Sequence, residues 1–218
     1  MDESDLNAAM DRYACGDAGA FRALHGALHP RILAFLTRLT GSATLADDMT
    51  QETFLRMHRA RATFARGGAV IPWAYAIARN VHIDHTRSKR HRNEERLPSD
   101  PGLWPADPGG SDAEDMAIAS EMARTVERVL AKLPPAQREA FVLLRYEGLS
   151  VQDAAAVLGT TETAVKLRAF RAYEALRAEL GAVRQAAEEK SGHGDDPAKP
   201  RGGKPRSKVR AAGGADGA

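Results

Sequence analysis

Apolar residues recur at every third or fourth position along most of the first 180 residues, which is the spacing of amphipathic helices. The clearest early stripe predicts a helix that is kinked or interrupted at Pro30 and ends at Gly41. Thr44 and Asp47 have the spacing of a capping box and predict the start of a third helix. Pro72 suits the first turn of a fourth helix. Runs of the strand type are absent, so the chain is predicted to be all-α.

A stretch rich in proline and glycine, LPSDPGLWPADPGGSDA at residues 97–113, interrupts this pattern. It predicts two helical domains, residues 1–96 and 116–184, joined by a flexible acidic linker at 97–115. Beyond residue 184 the apolar residues become rare while lysine and arginine recur. Residues 185–218 are therefore predicted to form a disordered basic tail.

The charge pattern points to a polyanionic partner for the end of the first domain. Residues 56–96 hold 10 Lys/Arg against 3 Asp/Glu, although the whole chain has a net charge of only +2. A single cysteine, Cys15, excludes an internal disulfide. No run of 18 apolar residues and no secretion signal is present, which predicts a cytoplasmic protein without membrane insertion.

Residues 150–177, SVQDAAAVLGTTETAVKLRAFRAYEALR, have the spacing of a helix-turn-helix. Ser150 and Asp153 form a capping box for a short first helix, which ends at Gly159. Thr160 or Thr161 would cap the second helix. The second helix of such a motif lies in the major groove of duplex DNA.

The second helix of this motif has an unusual outer face. One side is an ordinary buried stripe formed by Val165, Ala169, Ala172 and Leu176, but the opposite side places Phe170 among cationic residues. Apolar side chains on a DNA-reading face can contact thymine methyl groups, and lysine or arginine can contact phosphates or guanine. The alternative is an αα-hairpin whose phenylalanine packs on another part of the protein.

Three segments in order, ADDMTQETFLRMHRAR, PWAYAIARNVHIDHTRSKRHR and LPPAQREAFVLLRYEGLSVQDAAAVLGTTETAVKLRAFRA, resemble the extracytoplasmic-function (ECF) sigma factors. The resemblance implies two tethered helical domains that bind core RNA polymerase and direct initiation at promoter DNA. It implies no enzymatic activity, no cofactor and no metal, and an anti-sigma factor as a further partner. The tail after Leu180 departs from many members, as does Leu167, where a small polar residue is common.

The resemblance assigns residues to three interfaces. The promoter −35 element would be read as duplex by Thr163, Lys166, Leu167, Arg168, Phe170 and Arg171. The −10 element would be melted and read as a single strand by Trp73, Tyr75, Arg79, Asn80, His82 and Arg87. The polymerase clamp would bind the third helix, where an exposed leucine stands among polar groups, through Asp47, Asp48, Gln51 and Leu55.

Two other classes of function remain as alternatives. A helix-turn-helix regulator would bind duplex DNA without forming holoenzyme, but it has no use for an aromatic and basic fourth helix. An enzyme could use Asp48 and Glu52 as an acid–base pair or metal site, but that cluster lacks the histidine of most transition-metal sites. His82, His85 and His91 suggest zinc, but no cysteine is close and their segment is strongly basic. Asp84 is expected to pair with a cation such as Arg38.

Overall fold

The computed structural model describes residues 2–91 and 113–191, which form eight α-helices and contain no strand. The all-α prediction is confirmed. The first four helices form the N-domain: α1 Glu3–Ala14, α2 Ala18–Thr40, α3 Ala43–Ala60 and α4 Val70–His91. The other four form the C-domain: α5 Ala113–Lys132, α6 Pro135–Arg145, α7 Val151–Leu158 and α8 Glu162–Ser191.

The helix starts of the N-domain are set by short polar caps. Asp17 accepts hydrogen bonds from the first amides of α2, and Gly41 ends that helix with a left-handed backbone at φ 67°. The helix runs through Pro30 without interruption. Ser42, not Thr44, caps α3, because Ser42 has an extended backbone and accepts from the amide of Leu45, whereas Thr44 is already inside the helix.

The N-domain core forms between the apolar stripes of its four helices. Its fully buried side chains include Met10 of α1, Leu24 and Phe35 of α2, and Tyr75 of α4. Each large side chain of this kind contributes about 1.5–3 kcal/mol through burial. Helix α2, with its predicted apolar stripe, is thus the central helix of this domain.

The C-domain divides its apolar residues between two clusters. One lies between α5, α6 and α8 and is local to the domain, and its buried members are Val129, Leu130, Leu133, Phe141, Ala172 and Leu176. The other belongs to the same cluster as the N-domain core and includes Val142 and Leu143 of α6 and Ala154 of α7. A continuous core therefore crosses from one domain to the other.

Two predicted boundaries differ from the structure. Helix α5 begins at Ala113, inside the last residues of the predicted linker, and residues 97–112 lie outside the described ranges. Helix α8 continues to Ser191, so the prediction of disorder for residues 185–191 is wrong. Alanine, glutamine, glutamate and lysine dominate that segment and are strong helix formers. Residues 192–218 lie outside the described ranges.

None of the helices in the described part of the chain is both long and apolar enough to cross a membrane.

Candidate nucleic-acid and polymerase interfaces

The helix-turn-helix consists of α7, a tight turn and the start of α8. Ser150 Oγ accepts from the amide of Asp153 at 3.0 Å, which caps α7 as predicted. Gly159 ends α7 with φ 59°, a left-handed conformation that favours glycine. Thr161 Oγ1 accepts from the amide of Ala164 at 3.2 Å and caps α8. These local bonds fix the angle at which α8 leaves the turn.

The outer face of α8 is open to solvent. Val165, fully buried, belongs to the inner stripe, as predicted, whereas Phe170 is 60% exposed and Leu167 is 49% exposed. Phe170 therefore does not pack on another part of the described protein, which disfavours the αα-hairpin alternative. Among the predicted −35 residues, Thr163, Lys166 and Arg171 are exposed on the same face, while Arg168 is half-buried at its margin.

An aromatic residue outside the predicted set extends this face. Tyr173 is 47% exposed, and its ring meets the ring of Phe141 at a centroid distance of 5.0 Å. It lies one helical turn after Phe170, so the exposed apolar strip continues along α8. The sequence pattern could have indicated this extension, because Phe170 and Tyr173 are three positions apart.

The predicted polymerase patch is present on α3. Asp47, Asp48 and Gln51 are exposed, and Leu55 is 43% exposed beside them. Gln51 Nε2 donates to Asp47 Oδ2 at 2.9 Å, one turn apart on the helix. The patch thus combines an apolar side chain with an acidic and amide rim.

Leu55 also borders a shallow apolar groove that the sequence analysis missed. The groove collects side chains from α1, α2 and α3, so no local pattern reveals it; its other lining residues are Tyr13, Ala18, Phe21, Phe54 and His58. Tyr13 and His58 are joined by a hydrogen bond of 2.6 Å between the hydroxyl and Nδ1. The exposed leucine is therefore the edge of a larger apolar surface.

The carboxylates beside this patch are engaged in ion pairs. Arg56 contacts Glu52 at 2.8 Å and Asp84 at 2.6 Å. Asp84 pairs with a cation as expected, but the cation is Arg56 and not Arg38. The reason is that Asp84 lies on an exposed side of α4 that faces α3. Glu52 is held by a guanidinium, which argues against an acid–base pair with Asp48.

Three of the six predicted −10 residues form a stripe on α4, of which two are exposed. Trp73, Asn80 and Arg87 are spaced by seven residues and so lie on one face of the helix. Asn80 and Arg87 are exposed, whereas Trp73 is half-buried and meets the Phe64 ring edge-on at 5.2 Å.

The loop before α4 is held by side chains of α1. Gly67 has φ 70°, and its amide donates to the carboxylate of Asp11 at 3.1 Å. The amide of Val70, at the start of α4, donates to Asn7 Oδ1 at 2.9 Å. These two α1 residues were not predicted, because their partners are 56 and 63 positions away along the chain.

The other three −10 candidates lie on a face of α4 that the C-domain covers. Tyr75 is 1% exposed, its ring packs edge-to-face on Phe35, and its hydroxyl donates to Glu147. Burial raises the pKa of Tyr75, and the adjacent Glu147 raises it further. The expectation that Tyr75 offers its ring to bases is not met in this arrangement, since the ring is buried.

Arg79 and His82 continue this covered face. Arg79 lies one turn after Tyr75 on the covered face and pairs with Glu139 of α6 at 2.8 Å. Burial, together with the positive charges of Arg138, His85 and Arg79, lowers the pKa of His82 to about 4. A neutral His82 therefore lies among cations at the domain contact.

Glu147, just beyond the end of α6, is the centre of the contact between the domains. Arg38 Nη1 of α2 donates to Glu147 Oε1 at 3.0 Å, and Arg31 Nη2 donates to its backbone oxygen at 3.2 Å. The Arg38 guanidinium also lies over the Tyr146 ring, 4.5 Å from its centroid. Burial raises the pKa of Glu147 against the lowering effect of these partners.

Comparison with protein families identifies both halves of the chain. Residues 24–92, which contain most of the N-domain, match the model of Sigma-70 region 2. Residues 123–176, which contain the helix-turn-helix, match the model of Sigma-70, region 4.

Curated relatives and solved structures agree. RNA polymerase sigma factor CarQ of Myxococcus xanthus is 35% identical over 79% of this chain and 95% of its own length. ECF RNA polymerase sigma factor SigF of Caulobacter vibrioides is 35% identical over 80% of this chain and 93% of its own length.

The sigma factor RpoE, in complex with the anti-sigma factor NepR from Bartonella quintana, is similar in structure. Its TM-score is 0.62 at 25% identity, over 74% of this chain and 96% of that one. CnrH, in complex with the cytosolic domain of CnrY, has a TM-score of 0.58 at 28% identity, over 82% and 98%. The chain belongs to the ECF family of RNA polymerase sigma factors, which direct transcription to specific promoters.

Proposed function

We propose that this protein binds core RNA polymerase in the cytoplasm and brings it to promoters through two separate DNA contacts. In this proposal α8 binds the −35 element as duplex, α4 binds the −10 element as a single strand, and α3 docks on the polymerase clamp. The protein performs no catalysis of its own. The observation that carries the proposal is the exposed face of α8, where Phe170 and Leu167 lie among cations at the end of a well-formed helix-turn-helix.

The α8 face fits a major groove by both shape and chemistry. A helix without a side-chain layer above it can enter a groove about 12 Å wide. Phe170 and Leu167 then contact thymine methyl groups or sugars, which removes apolar area from water without disturbing the buried stripe. Lys166 and Arg171 lie at either side of this apolar pair and can contact phosphates. Lys166 is within 3.8 Å of Glu162, but such an exposed pair is worth little and yields readily to a phosphate.

The α4 stripe and its loop supply the chemistry of strand capture. An aromatic ring can stack on an unpaired base, and cations can follow the backbone of a displaced strand. Trp73 stands at the start of the stripe beside the loop that Asp11 and Asn7 hold in place. Asn80 and Arg87 follow at intervals of about 10 Å along the helix axis. This order, from aromatic to cation, suits a strand that lies along α4.

The α3 patch has the composition of a protein interface. Its centre is apolar and its rim is polar, and the adjoining groove enlarges the apolar area. The patch lies on the N-domain, away from the helix-turn-helix, so the polymerase and the −35 duplex can be bound together. An anti-sigma factor, the kind of partner seen with the related RpoE, is a further expected ligand of this protein.

The competing proposal is a duplex-binding regulator that does not form holoenzyme. It accounts for α8 but not for Leu55, an exposed leucine at the edge of an apolar groove on the other domain. It also leaves the ordered loop and the aromatic start of α4 without a role. We therefore favour the sigma-factor proposal over the regulator.

Transcription by purified core polymerase tests the proposal directly. Sheared genomic DNA of the source organism is transcribed with and without the protein, and the 5′ ends of the RNA are sequenced. We expect a small set of new start sites that share two upstream elements. A protein that binds duplex DNA but adds no start site supports the regulator instead.

Two exposed leucines provide matched variants for this assay. Leu55→Ala should weaken binding to core polymerase by about 1–3 kcal/mol, a loss typical of an interface anchor, and leave affinity for −35 duplex unchanged. Leu167→Ala should do the reverse. Both side chains are about half exposed, so both variants should keep the wild-type melting temperature. Equal losses in both assays from either variant contradict the division of roles between the domains.

A further inference from the structure

A carboxylate stands at the end of α8 that is proposed to enter the −35 groove. Glu162 is the first residue of the helix, and its side chain is 53% exposed. Residues 160–173 contain no other Asp or Glu, whereas they contain three Lys or Arg. A carboxylate close to phosphates is unfavourable, because like charges repel. Its presence on a DNA-binding end of a helix therefore calls for a compensating contact.

The position of Glu162 is one from which a side chain can reach bases. In a helix-turn-helix, the N-terminal residues of the second helix contact base edges in the major groove. Glu162, Lys166 and Phe170 are spaced by four residues, so they form one row along α8. The row passes from a carboxylate to a cation to an aromatic ring, and all three side chains are exposed.

Duplex binding changes the surroundings of this carboxylate. In the free protein Glu162 Oε2 lies 3.8 Å from Lys166 Nζ. Once Lys166 contacts a phosphate, as proposed above, Glu162 loses this cation and faces the bases. The hydrogen-bond donors of the major groove are the amino groups of cytosine and adenine, whereas guanine and thymine present acceptors there. A carboxylate accepts hydrogen bonds and donates none, so it repels an acceptor at the same place.

We infer that Glu162 is a specificity residue of the −35 contact and reads a cytosine by accepting a hydrogen bond from its N4 amino group. Adenine fits less well, because its amino group stands beside the acceptor N7, which repels the second carboxylate oxygen. Glu162 then lowers affinity for most sequences and raises the ratio between a correct and an incorrect site. The inference rests on the proposed function, because it takes α8 as the helix that binds the −35 duplex.

A purely structural role for Glu162 makes a different expectation. Carboxylates in the first turn stabilise a helix through its dipole, and an exposed pair such as Glu162 with Lys166 adds little more. Loss of that role lowers the melting temperature and changes affinity by the same factor for every sequence. Base preference at a single position of the −35 element therefore separates the two roles.

Two substitutions of equal charge form a matched pair for the test. Glu162→Gln keeps the size of the side chain, removes the charge and supplies an amide, which matches the N6 and N7 groups of adenine. Glu179→Gln removes one negative charge from an exposed position of the same helix, about 25 Å further along its axis. It is the control for net charge.

The experiment uses holoenzyme assembled from core polymerase and the full-length protein. One promoter is taken from the start sites mapped by the transcription assay, and a set of duplexes carries each of the four base pairs in turn at every position of its −35 element. Competition binding gives the relative affinity of each duplex for holoenzyme with wild type, Glu162→Gln or Glu179→Gln. Circular dichroism melting of the three free proteins reports their stability.

We expect one position at which wild type and Glu179→Gln prefer cytosine by about tenfold. At that position Glu162→Gln should prefer adenine by about 3- to 10-fold, and its preferences elsewhere should be unchanged. Its affinity for duplexes without the cytosine should rise about threefold, because a charge of the same sign as the phosphates is gone.

A cytosine preference that survives in Glu162→Gln overturns the inference and leaves the proposed function untouched. So does a lower melting temperature with the same change of affinity on every duplex, because that result assigns Glu162 to helix stability. If wild type prefers no base at any position of the element, the assignment of α8 to the −35 duplex fails together with the inference.

Discussion

Helices α4 and α8 both carry predicted nucleic-acid contacts, yet they present them in opposite ways. α8 exposes an apolar and cationic face and buries only alanine, valine and leucine beneath it. α4 exposes one stripe of candidates and directs the other three into a polar contact with the C-domain. The surface proposed to read duplex DNA is thus exposed, whereas half of the residues proposed to read the single strand are engaged in protein contacts.

The difference follows from what each surface must bind. A face that meets duplex DNA gains affinity from apolar contacts. A few apolar side chains can stay exposed to water in the free protein at modest cost. A face that meets a flexible single strand needs hydrogen-bond donors and cations, and these find carboxylate partners within the same protein. The polar face is therefore the one for which the C-domain supplies matching carboxylates, Glu139 and Glu147.

The largest effect is expected from breaking one ion pair of the covered face. Glu139→Ala leaves Arg79 without its carboxylate in a half-buried site and should lower the free energy of unfolding by about 2–4 kcal/mol. Adding Arg79→Met should restore most of that loss, since the uncompensated charge is gone. Urea denaturation of both variants gives the values. A loss below about 0.5 kcal/mol, within the range of ordinary surface changes, means that the pair does not hold the domains together.

The second effect is a dependence of stability on pH that originates at His82. Its pKa is lowered to about 4 in the folded protein, so its contribution is complete above pH 6.5 and is lost as the pH falls towards 4. The groups responsible besides burial are Arg138, His85 and Arg79. His82→Asn should make the free energy of unfolding less sensitive to pH in this range, by at most about 3 kcal/mol.

Urea denaturation at a series of pH values checks this expectation. Glu147 has a raised pKa, so its contribution to the free energy of unfolding changes with pH in the opposite direction to that of His82. The contribution of Glu147 is the same in wild type and in His82→Asn, so it cancels when the two are compared. Parallel curves for wild type and variant show that His82 does not titrate through the domain contact.

A third effect concerns the open face alone. Phe170→Ala should weaken binding to the −35 duplex by about 1–3 kcal/mol, the range of one lost base contact, and should not change the melting temperature. The loss should shrink when the contacted thymine is replaced by uracil, which lacks the methyl group. Duplex affinity and circular dichroism melting are measured on the same preparation. A large fall in melting temperature with intact affinity places the ring in the core rather than in the groove.

The smallest effect is expected at the loop before α4. Asn7→Ala removes the side chain that accepts from the amide of Val70 and should cost about 0.5–1.5 kcal/mol in unfolding free energy. If the loop positions Trp73, single-strand affinity should also fall, while duplex affinity stays constant. Asn80→Ala, at an exposed position, is a control for stability. Equal stability losses in the two variants indicate that the Asn7 bond does not contribute.

The sequence was sufficient for the helices, the two domains and the exposed face of α8, because periodicity and caps are local properties. Phe170 and Leu55 could be identified as exposed from their own helices alone. The partners of Arg38 and Asp84 could not, since ion pairs between residues that are 109 and 28 positions apart leave no mark on the spacing within a helix. Tyr75 shows the same limit: its position on the helix was predictable, but the glutamate that meets its hydroxyl was not.

The continuous core shared by the two domains also affects the fate of the protein in the cell. When α6 and α7 leave α2 and α4, apolar side chains such as Val142, Leu143 and Ala154 lose part of their cover. Exposed apolar surface of this kind attracts chaperones and proteases and promotes aggregation. We therefore expect any form with separated domains to be short-lived, so that the abundance of this protein depends on how firmly the two domains hold together or on a bound partner.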